Sequence, residues 1–332
     1  MVALTAIGFL ALGFASALLL EYLIERTSRR MRWFALPNER SFHAEPTPSI
    51  GGLAIVIPVL AYLGYVSAAG VAAAQGLLLG AGLLAVVGLR DDLKELSSAF
   101  RFACQILAVA LVLWYMALPW PWLALLVTGV ALLWHVNLFN FMDGIDGIAG
   151  SQCLIYCLGV LLLAGDLAGW LGELNWLLAG TSIGFLVFNW PPARIFMGDV
   201  GSGFLGLLLA VIAVEVARQE YLPLVASLIL LAGFWFDASY TLCVRMMSGQ
   251  KFVQAHRSHL YQQLAAKKGH RWTTLVYAAF AVVWLFPLAA FSANFPQLNV
   301  VWLALSISPM AVAAWYFQAG RPQHRETPSP LA

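Results

Sequence analysis

Apolar positions along the chain gather into eleven long runs separated by short polar turns. They span roughly residues 3–24, 50–69, 71–89, 102–118, 122–139, 148–164, 174–188, 203–217, 222–244, 273–292 and 300–317. A helix of about 20 mainly apolar residues crosses the hydrocarbon core of a bilayer. The pattern therefore predicts an all-α polytopic membrane protein with about eleven transmembrane helices, the sixth and seventh of them short. The first run has no basic segment before it and is followed by Arg26, Arg29, Arg30 and Arg32. It reads as a retained helix rather than a cleaved signal peptide.

Eleven crossings put the two termini on opposite sides, and the basic residues choose which. Of the 18 Lys and Arg residues, 17 fall in alternate loops and the C-terminal tail, with Arg218 alone on the other side. By the positive-inside rule the rich side is cytoplasmic, so the N-terminus is expected in the periplasm and the C-terminus in the cytoplasm. Trp120, Trp122, Trp170 and Trp176 in the opposite turns suit an interfacial aromatic belt. The expected organisation is a single membrane domain over residues 1–319 with a short Pro-rich cytoplasmic tail, 320–332.

Composition sharpens this picture. Of 332 residues, 61% are apolar and 10% charged, against about 25% charged in an average soluble domain. A soluble fold of this length cannot hide so much apolar surface. The net charge of +2 excludes a nucleic-acid binder. All four cysteines (Cys104, Cys153, Cys157 and Cys243) lie in apolar runs, which favours packing over a disulfide or metal site.

Of seven aspartates, five sit in three loops or helix ends on the predicted cytoplasmic side. A transporter buries its ionisable groups nearer the bilayer midplane. The first cluster is Gly88-Leu89-Arg90-Asp91-Asp92-Leu93-Lys94. Adjacent carboxylates repel and lower that cost by sharing a metal or a basic group such as Lys94; a solvated juxtamembrane turn is the plain alternative. The second runs from Asn137 through Asn140, Asp143 and Asp146, with Gly144, Gly147 and Gly150 between and beyond. Hard oxygen ligands in such a row suit Mg²⁺ or sugar hydroxyls. The third, from Asn189 through Arg194 and Phe196 to Asp199 and Ser202, ends in small residues at a helix start, which favours a phosphate. Phe196 either stacks on a base or anchors the loop. The fourth is the basic loop 245–271 with His256, Arg257 and His259; it suits a diphosphate pocket or anionic lipid. Asp237, near the inner end of the ninth run, is expected to face the bundle and to pair with a cation or an opened helix turn.

Together these stretches resemble the polyprenyl-phosphate N-acetylhexosamine-1-phosphate transferases, glycosyltransferase family 4. The resemblance covers residues 46–264. It rests on Pro46-Thr47-Pro48-Ser49-Ile50-Gly51-Gly52, Asp91-Asp92-Leu93-Lys94, Asn140-Phe141-Met142-Asp143-Gly144-Ile145-Asp146-Gly147, Phe196-Met197-Gly198-Asp199-Val200-Gly201-Ser202 and His256-Arg257-Ser258-His259. It implies transfer of a sugar-1-phosphate from a UDP-N-acetylhexosamine to undecaprenyl phosphate at the bacterial inner membrane, with release of UMP. It implies Mg²⁺, with Mn²⁺ as a substitute, held by Asp199 and Asn140. Catalytic roles fall to Asp91, Asp92, Lys94 and Asp143. Substrate contacts fall to Ser49, Asn137, Asp146, Arg194, Phe196, His256, Arg257 and His259, with Asp146 and Phe196 near the uridine. The bilayer is the other partner, and a homodimer is compatible with the pattern.

Two routes are open to the step itself, direct displacement and a covalent phospho-enzyme. Direct attack by the lipid phosphate needs no enzyme nucleophile and is favoured over a phospho-aspartyl route. Many relatives carry His-x-His-His in the last large loop, whereas here Leu260-Tyr261-Gln262 follow His259. This form resembles the branch that initiates O-antigen from 6-deoxy donors of the N-acetylfucosamine or N-acetylquinovosamine type. A UDP-GlcNAc-specific transferase is the alternative. A secondary transporter would place its ions mid-membrane, and a CDP-alcohol phosphotransferase would hold its acids in one run.

Overall fold

The computed structural model describes residues 2–31, 34–35, 47–250 and 256–321. Of the described residues, 81% are helical. The helices are α1 (Val2–Met31), α2 (Leu53–Ala68), α3 (Ala72–Leu93), α4 (Ser98–Met116), α5 (Trp122–Met142), α6 (Ile148–Leu163) and α7 (Gly169–Asn189). They continue as α8 (Gly198–Arg218), α9 (Leu224–Leu230), α10 (Ala232–Met247), α11 (Leu260–Lys268), α12 (His270–Phe280), α13 (Phe286–Asn294) and α14 (Asn299–Tyr316). A π-helical turn, Ala281–Leu285, joins α12 to α13. Two short antiparallel strands, β1 (Phe34–Ala35) and β2 (Thr47–Pro48), pair Phe34 with Pro48 and Ala35 with Thr47.

Each of the eleven apolar runs is helical, but they are not eleven regular crossings. Among the described residues, eight helices are long and apolar enough to span a membrane, or nine if α9 and α10 count as one. Helices α2 and α6 have 16 residues each, about 24 Å at 1.5 Å per residue, short of the roughly 30 Å hydrocarbon core. The ninth run breaks at Leu231 into α9 and α10, bent by 75°. Gln152 and the Trp235 indole donate to the carbonyls of Leu230 and Leu228 there, satisfying groups that the break releases. The seventh run is longer than its apolar stretch suggests: α7 begins at Gly169, because Gly172, Glu173 and Asn175 interrupt the hydrophobic pattern without interrupting the helix.

Helix α8 is the axis of the bundle, with 89% of its most apolar window buried. It packs against α3 and α5, while α1 lies along α7, which also meets α6. Small residues permit the closest approaches. A Cβ at Gly88 of α3 would collide with the backbone of Asp199 and Val200, and one at Gly52 would collide with Gly201. The start of α8 is thereby pressed against the end of α3 and the start of α2. Cys153 and Cys157 are buried in α6, and all four cysteines are free.

The expected tail begins one turn too early. Gly320 is buried, with φ +78°, and packs against Thr241 and Val244 of α10. Gln318, at φ +56°, is the left-handed residue that closes the C-terminal end of α14, and Gly320 two residues on returns the backbone to the bundle. The tail residues 322–332 lie outside the described residues, as do Arg32, Arg40, Pro46 and Lys251.

Candidate active site

The site is organised by the N-terminus of α8. Asp92, at the end of α3, accepts the N–H groups of Asp199 and Val200, one on each carboxylate oxygen, both at 2.9 Å. The first N–H groups of a helix lack intrahelical partners, so a carboxylate there is doubly favourable: it fills the donors and meets the positive end of the helix dipole. Gly198 precedes them with φ +72°, and a Cβ there would run into the Ser49 carbonyl and the Asp92 carboxylate. The loop after β2 is paired with the same turn. Phe196 donates its N–H to the Pro48 carbonyl at 2.8 Å, and Gly51 and Gly52 donate theirs to Phe196 and Met197 at 2.9 and 2.8 Å.

Asp199 then faces outward from this anchored turn. Asn140 at the end of α5 donates to Asp199 Oδ1 at 2.9 Å and to Ser202 Oγ at 2.8 Å. Arg101, in the first turn of α4, donates to Asp199 Oδ2 at 2.9 Å and forms an ion pair with Asp91. Asp91 also accepts the Leu96 N–H at 2.6 Å. Thus Asp91 and Asp199 share one guanidinium, whose charge offsets the repulsion between the two carboxylates. Asp143, at the end of α5, is half-buried. Burial first, then the carboxylates of Asp199, Asp92 and Asp146, push its carboxyl well above the usual range.

A cavity of about 760 Å³ opens over this cluster, a size that suits a sugar nucleotide. Arg101, Gln105, Asn137, Asn140, Asp199, His256, His259 and Gln262 line its polar part, and Leu84, Val87, Val136 and Leu242 its apolar part. Asn137 donates to Gln105 at 2.9 Å. His256 and His259 lie 4.8 Å apart between ring centroids, and the His256 ring meets Ser258 Oγ at 3.0 Å. Burial, together with the neighbouring positive charges, pulls both imidazoles down to about 3, so they are neutral near pH 7.

Not every expected residue reaches this cavity. Asp92 stands behind Asp199 with both oxygens occupied by backbone donors, so it holds the turn instead of facing a substrate. Lys94 is exposed and absent from the lining, because the end of α3 turns its side chain out. Asp146 is committed to the protein: it accepts the Ala193 N–H at 3.0 Å and meets His270 Nδ1 at 3.1 Å. Arg194 pairs with Glu25 of α1 and lies over the Phe188 ring at 4.5 Å. Ser49, Phe196 and Arg257 belong to neighbouring loops but do not line the cavity.

Arg101 and Gln105 were counted only as part of a basic loop and an apolar run. Their i, i+4 spacing at the start of an apolar helix is the signal that puts both on one face. Tyr261 is the other unexpected element. Its hydroxyl donates to the Phe141 carbonyl at 2.8 Å and occupies the space that a Cβ on Gly144 would need. Asp237 behaves as a second helix anchor: it accepts the N–H groups of Leu260 and Tyr261 at 2.9 and 3.0 Å and the Tyr277 hydroxyl at 2.6 Å.

A comparison with known protein families covers the stretch that carries these residues. The glycosyl transferase family 4 profile matches residues 74–217. The probable undecaprenyl-phosphate N-acetylglucosaminyl 1-phosphate transferase of Bacillus subtilis is 26% identical, over 88% of this chain and 85% of its own. The decaprenyl-phosphate N-acetylglucosaminephosphotransferase of Mycobacterium leprae is 28% identical, over 73% and 72%. The phospho-N-acetylmuramoyl-pentapeptide-transferase of Chlamydia muridarum is 41% identical over a shorter stretch, 32% of this chain and 34% of its own. The matched segment runs from α3 into α8 and contains Asp91, Asp92, Arg101, Asn140 and Asp199, so the chain is a polytopic helical membrane protein whose residues 74–217 are similar to glycosyl transferase family 4.

Proposed function

We propose that the protein transfers N-acetylglucosamine 1-phosphate from UDP-GlcNAc to undecaprenyl phosphate, giving undecaprenyl-diphosphate-GlcNAc and UMP. The observation that carries this reading is the junction of Asp91, Arg101, Asn140 and Asp199 beneath a cavity that is polar on one side and apolar on the other. Such a cavity accommodates a nucleotide sugar and the head of a lipid together. Relatives whose names specify GlcNAc-1-phosphate transfer favour this donor over the 6-deoxy sugars that the Leu260-Tyr261-Gln262 string suggested.

The chemistry follows from charge. An oxygen of the lipid phosphate attacks the phosphorus that carries the sugar. The bond between that phosphorus and the bridging oxygen breaks, and UMP departs with the electron pair. Two anions must meet, so positive charge has to be supplied where negative charge accumulates. Arg101 supplies a fixed fork of donors at the mouth of the cavity. Asp92, through the N–H groups of Asp199 and Val200, holds Asp199 in place. The Asp199 carboxylate would be the protein ligand of a Mg²⁺ ion, with the Asn140 amide that donates to it alongside; such an ion takes one or two protein ligands and completes its shell with water and phosphate. No group of three His, Cys, Asp or Glu side chains among the described residues converges on a metal site, so an ion here would draw most of its shell from water and substrate phosphate. When bound, the ion would offset the charge of the diphosphate. A phosphate dianion needs no base, and Asp143, half-buried and outside the cavity lining, is not needed to remove a proton.

The reading puts the site at the cytoplasmic face of the bacterial inner membrane, where UDP-sugars are made available, as the distribution of Lys and Arg suggests. The test is purified protein with undecaprenyl phosphate, Mg²⁺ and a panel of UDP-sugars, read by UMP release. UDP-GlcNAc is expected to be the best donor. Preference for a 6-deoxy N-acetylhexosamine would restore the O-antigen reading, and silence with every donor would end the transferase assignment.

A further inference from the structure

The donor side of the cavity is held by a segment far away in sequence. The loop from α10 to α11 brings His256 and His259 to the cavity, and both ends of that loop bond to one residue beyond α14. Gly320 donates its N–H to the Ser258 carbonyl at 2.9 Å. Its carbonyl accepts the Gln250 side-chain amide, also at 2.9 Å. Gln250 in turn accepts from Arg245 at 2.8 Å, tying the staple to the end of α10. The Ser258 hydroxyl meets the His256 ring, so the backbone that Gly320 grips is the backbone that sets the histidines.

The fit leaves no room for another residue. At φ +78°, a Cβ on Gly320 would lie 2.6 Å from the Thr241 carbonyl and 2.9 Å from Val244 Cβ. Left-handed backbone already disfavours a side chain there. Neighbouring contacts reinforce the turn. Ala319 is buried and donates to the Ala314 carbonyl at 2.9 Å. Lys267 of α11 lies 5.0 Å from the Phe317 ring centroid, within cation–π range.

We propose that the turn 318–321 is a positioning element of the donor site: Gly320 closes the 250–258 loop and sets His256 and His259 against the nucleotide sugar. The inference rests on the transferase reading above. The loop touches the donor half of the cavity, whereas the α3 and α8 ends carry the phosphate chemistry. Loosening the staple therefore weakens donor binding more than it changes the lipid site.

The test compares Gly320→Ala and Gln250→Ala with the wild type in detergent, with UDP-GlcNAc and undecaprenyl phosphate varied in turn. The expected result is a donor KM raised about 5-fold or more, with the lipid KM within about 2-fold of wild type. Trypsin cleavage after Arg257 is expected to accelerate in both variants, since a released loop opens more often. Gln250→Glu, which keeps the acceptor for Arg245 but loses the donor to Gly320, should resemble Gln250→Ala; wild-type behaviour would remove the Gly320 bond from the account. Unchanged donor KM and unchanged cleavage overturn the inference. So does a parallel fall in every kinetic parameter together with melting temperature, which marks general destabilisation. Absence of turnover in the wild type overturns the transferase reading and the donor half of this inference, while the cleavage rates still decide whether the turn holds the loop.

Discussion

Two aspartates in this bundle perform the same local task with different consequences. Asp92 and Asp237 each accept two successive N–H groups at a helix start, Asp92 for α8 and Asp237 for α11. At α8, the anchored turn presents Asp199 to a guanidinium, an amide and the cavity. At α11, the anchor is closed off by the Tyr277 hydroxyl and by Thr241, and what it holds on the cavity wall are the neutral groups of His259 and Gln262. A buried carboxylate satisfied by backbone donors is thus a joint in both places. What separates a catalytic joint from a structural one is the residue that the joint holds outward.

Asp199→Asn tests the outward residue and has the largest expected effect. The amide is a poor ligand for a hard cation and a poor partner for Arg101, so turnover should fall about 10³-fold or more. Melting should stay near wild type, because Asn140 and Arg101 retain other partners. Near-normal UMP release from this variant would remove Asp199 from the centre of the site.

Asn in place of each anchor separates the two joints. Asp92→Asn keeps one good acceptor and should displace Asp199 slightly, lowering kcat by roughly 10²-fold, the scale of a small misplacement at a reacting centre. Asp237→Asn should act mainly on stability, losing charge-assisted hydrogen bonds worth about 1.5–3 kcal/mol each. Melting curves and kcat measured on both variants decide the matter. If Asp237→Asn cost more turnover than Asp92→Asn at equal stability, the comparison would have to be reversed.

The loop that the second joint supports predicts a pH effect. His256 and His259 have folded pKa values lowered to about 3, against about 6.5 when unfolded. Below 6.5 the unfolded chain binds more protons, so stability rises with pH. This contribution is complete above 6.5 and is lost as pH falls toward 3. Asp143, raised well above its ordinary value, works in the opposite direction. The histidines are isolated by comparing melting at pH 7.5 and 5 in the wild type and in a His256→Gln, His259→Gln double variant. The double variant should lose less stability on acidification; an equal loss would show that the rings are charged in the folded chain.

The smallest effect belongs to Tyr277→Phe, which removes one donor from Asp237 and should cost about 1 kcal/mol with little change in kcat. A large loss of turnover would give the second joint a catalytic role.

Much of this comparison was legible in the sequence, and the missing parts have physical causes. Hydrophobic runs reveal every helix of the bundle except α11, which lies in the basic loop 245–271, because lipid exposure demands continuous apolar surface. They give α6 as a short helix but do not reveal that α2 also falls short of a full span, or that α9 and α10 are bent, since run length counts residues and not direction. Asp91, Asp92, Asn140 and Asp199 stood out as acids and amides in short polar strings. Asp92 nevertheless looked like a catalytic group: spacing shows which residues are near one another in the chain, not which carboxylate oxygens the backbone occupies. Lys94 and Arg194 read from sequence as cations of the site as readily as Arg101, and only packing puts Arg101 on the cavity wall and the other two away from it. Gly320 was invisible, being one glycine beyond the last apolar run, and its importance lies in contacts to residues about 60 to 80 positions away.

The central claim is that the group transferred from the donor is a sugar-1-phosphate, and the most direct test is mass analysis of the lipid product. Protein supplied with UDP-GlcNAc, undecaprenyl phosphate and Mg²⁺ should yield undecaprenyl-diphosphate-GlcNAc with one equivalent of UMP, and Asp199→Asn should yield neither. A lipid monophosphate-sugar accompanied by UDP would mean that the glycosidic bond breaks instead of the phosphoanhydride, and would contradict the account.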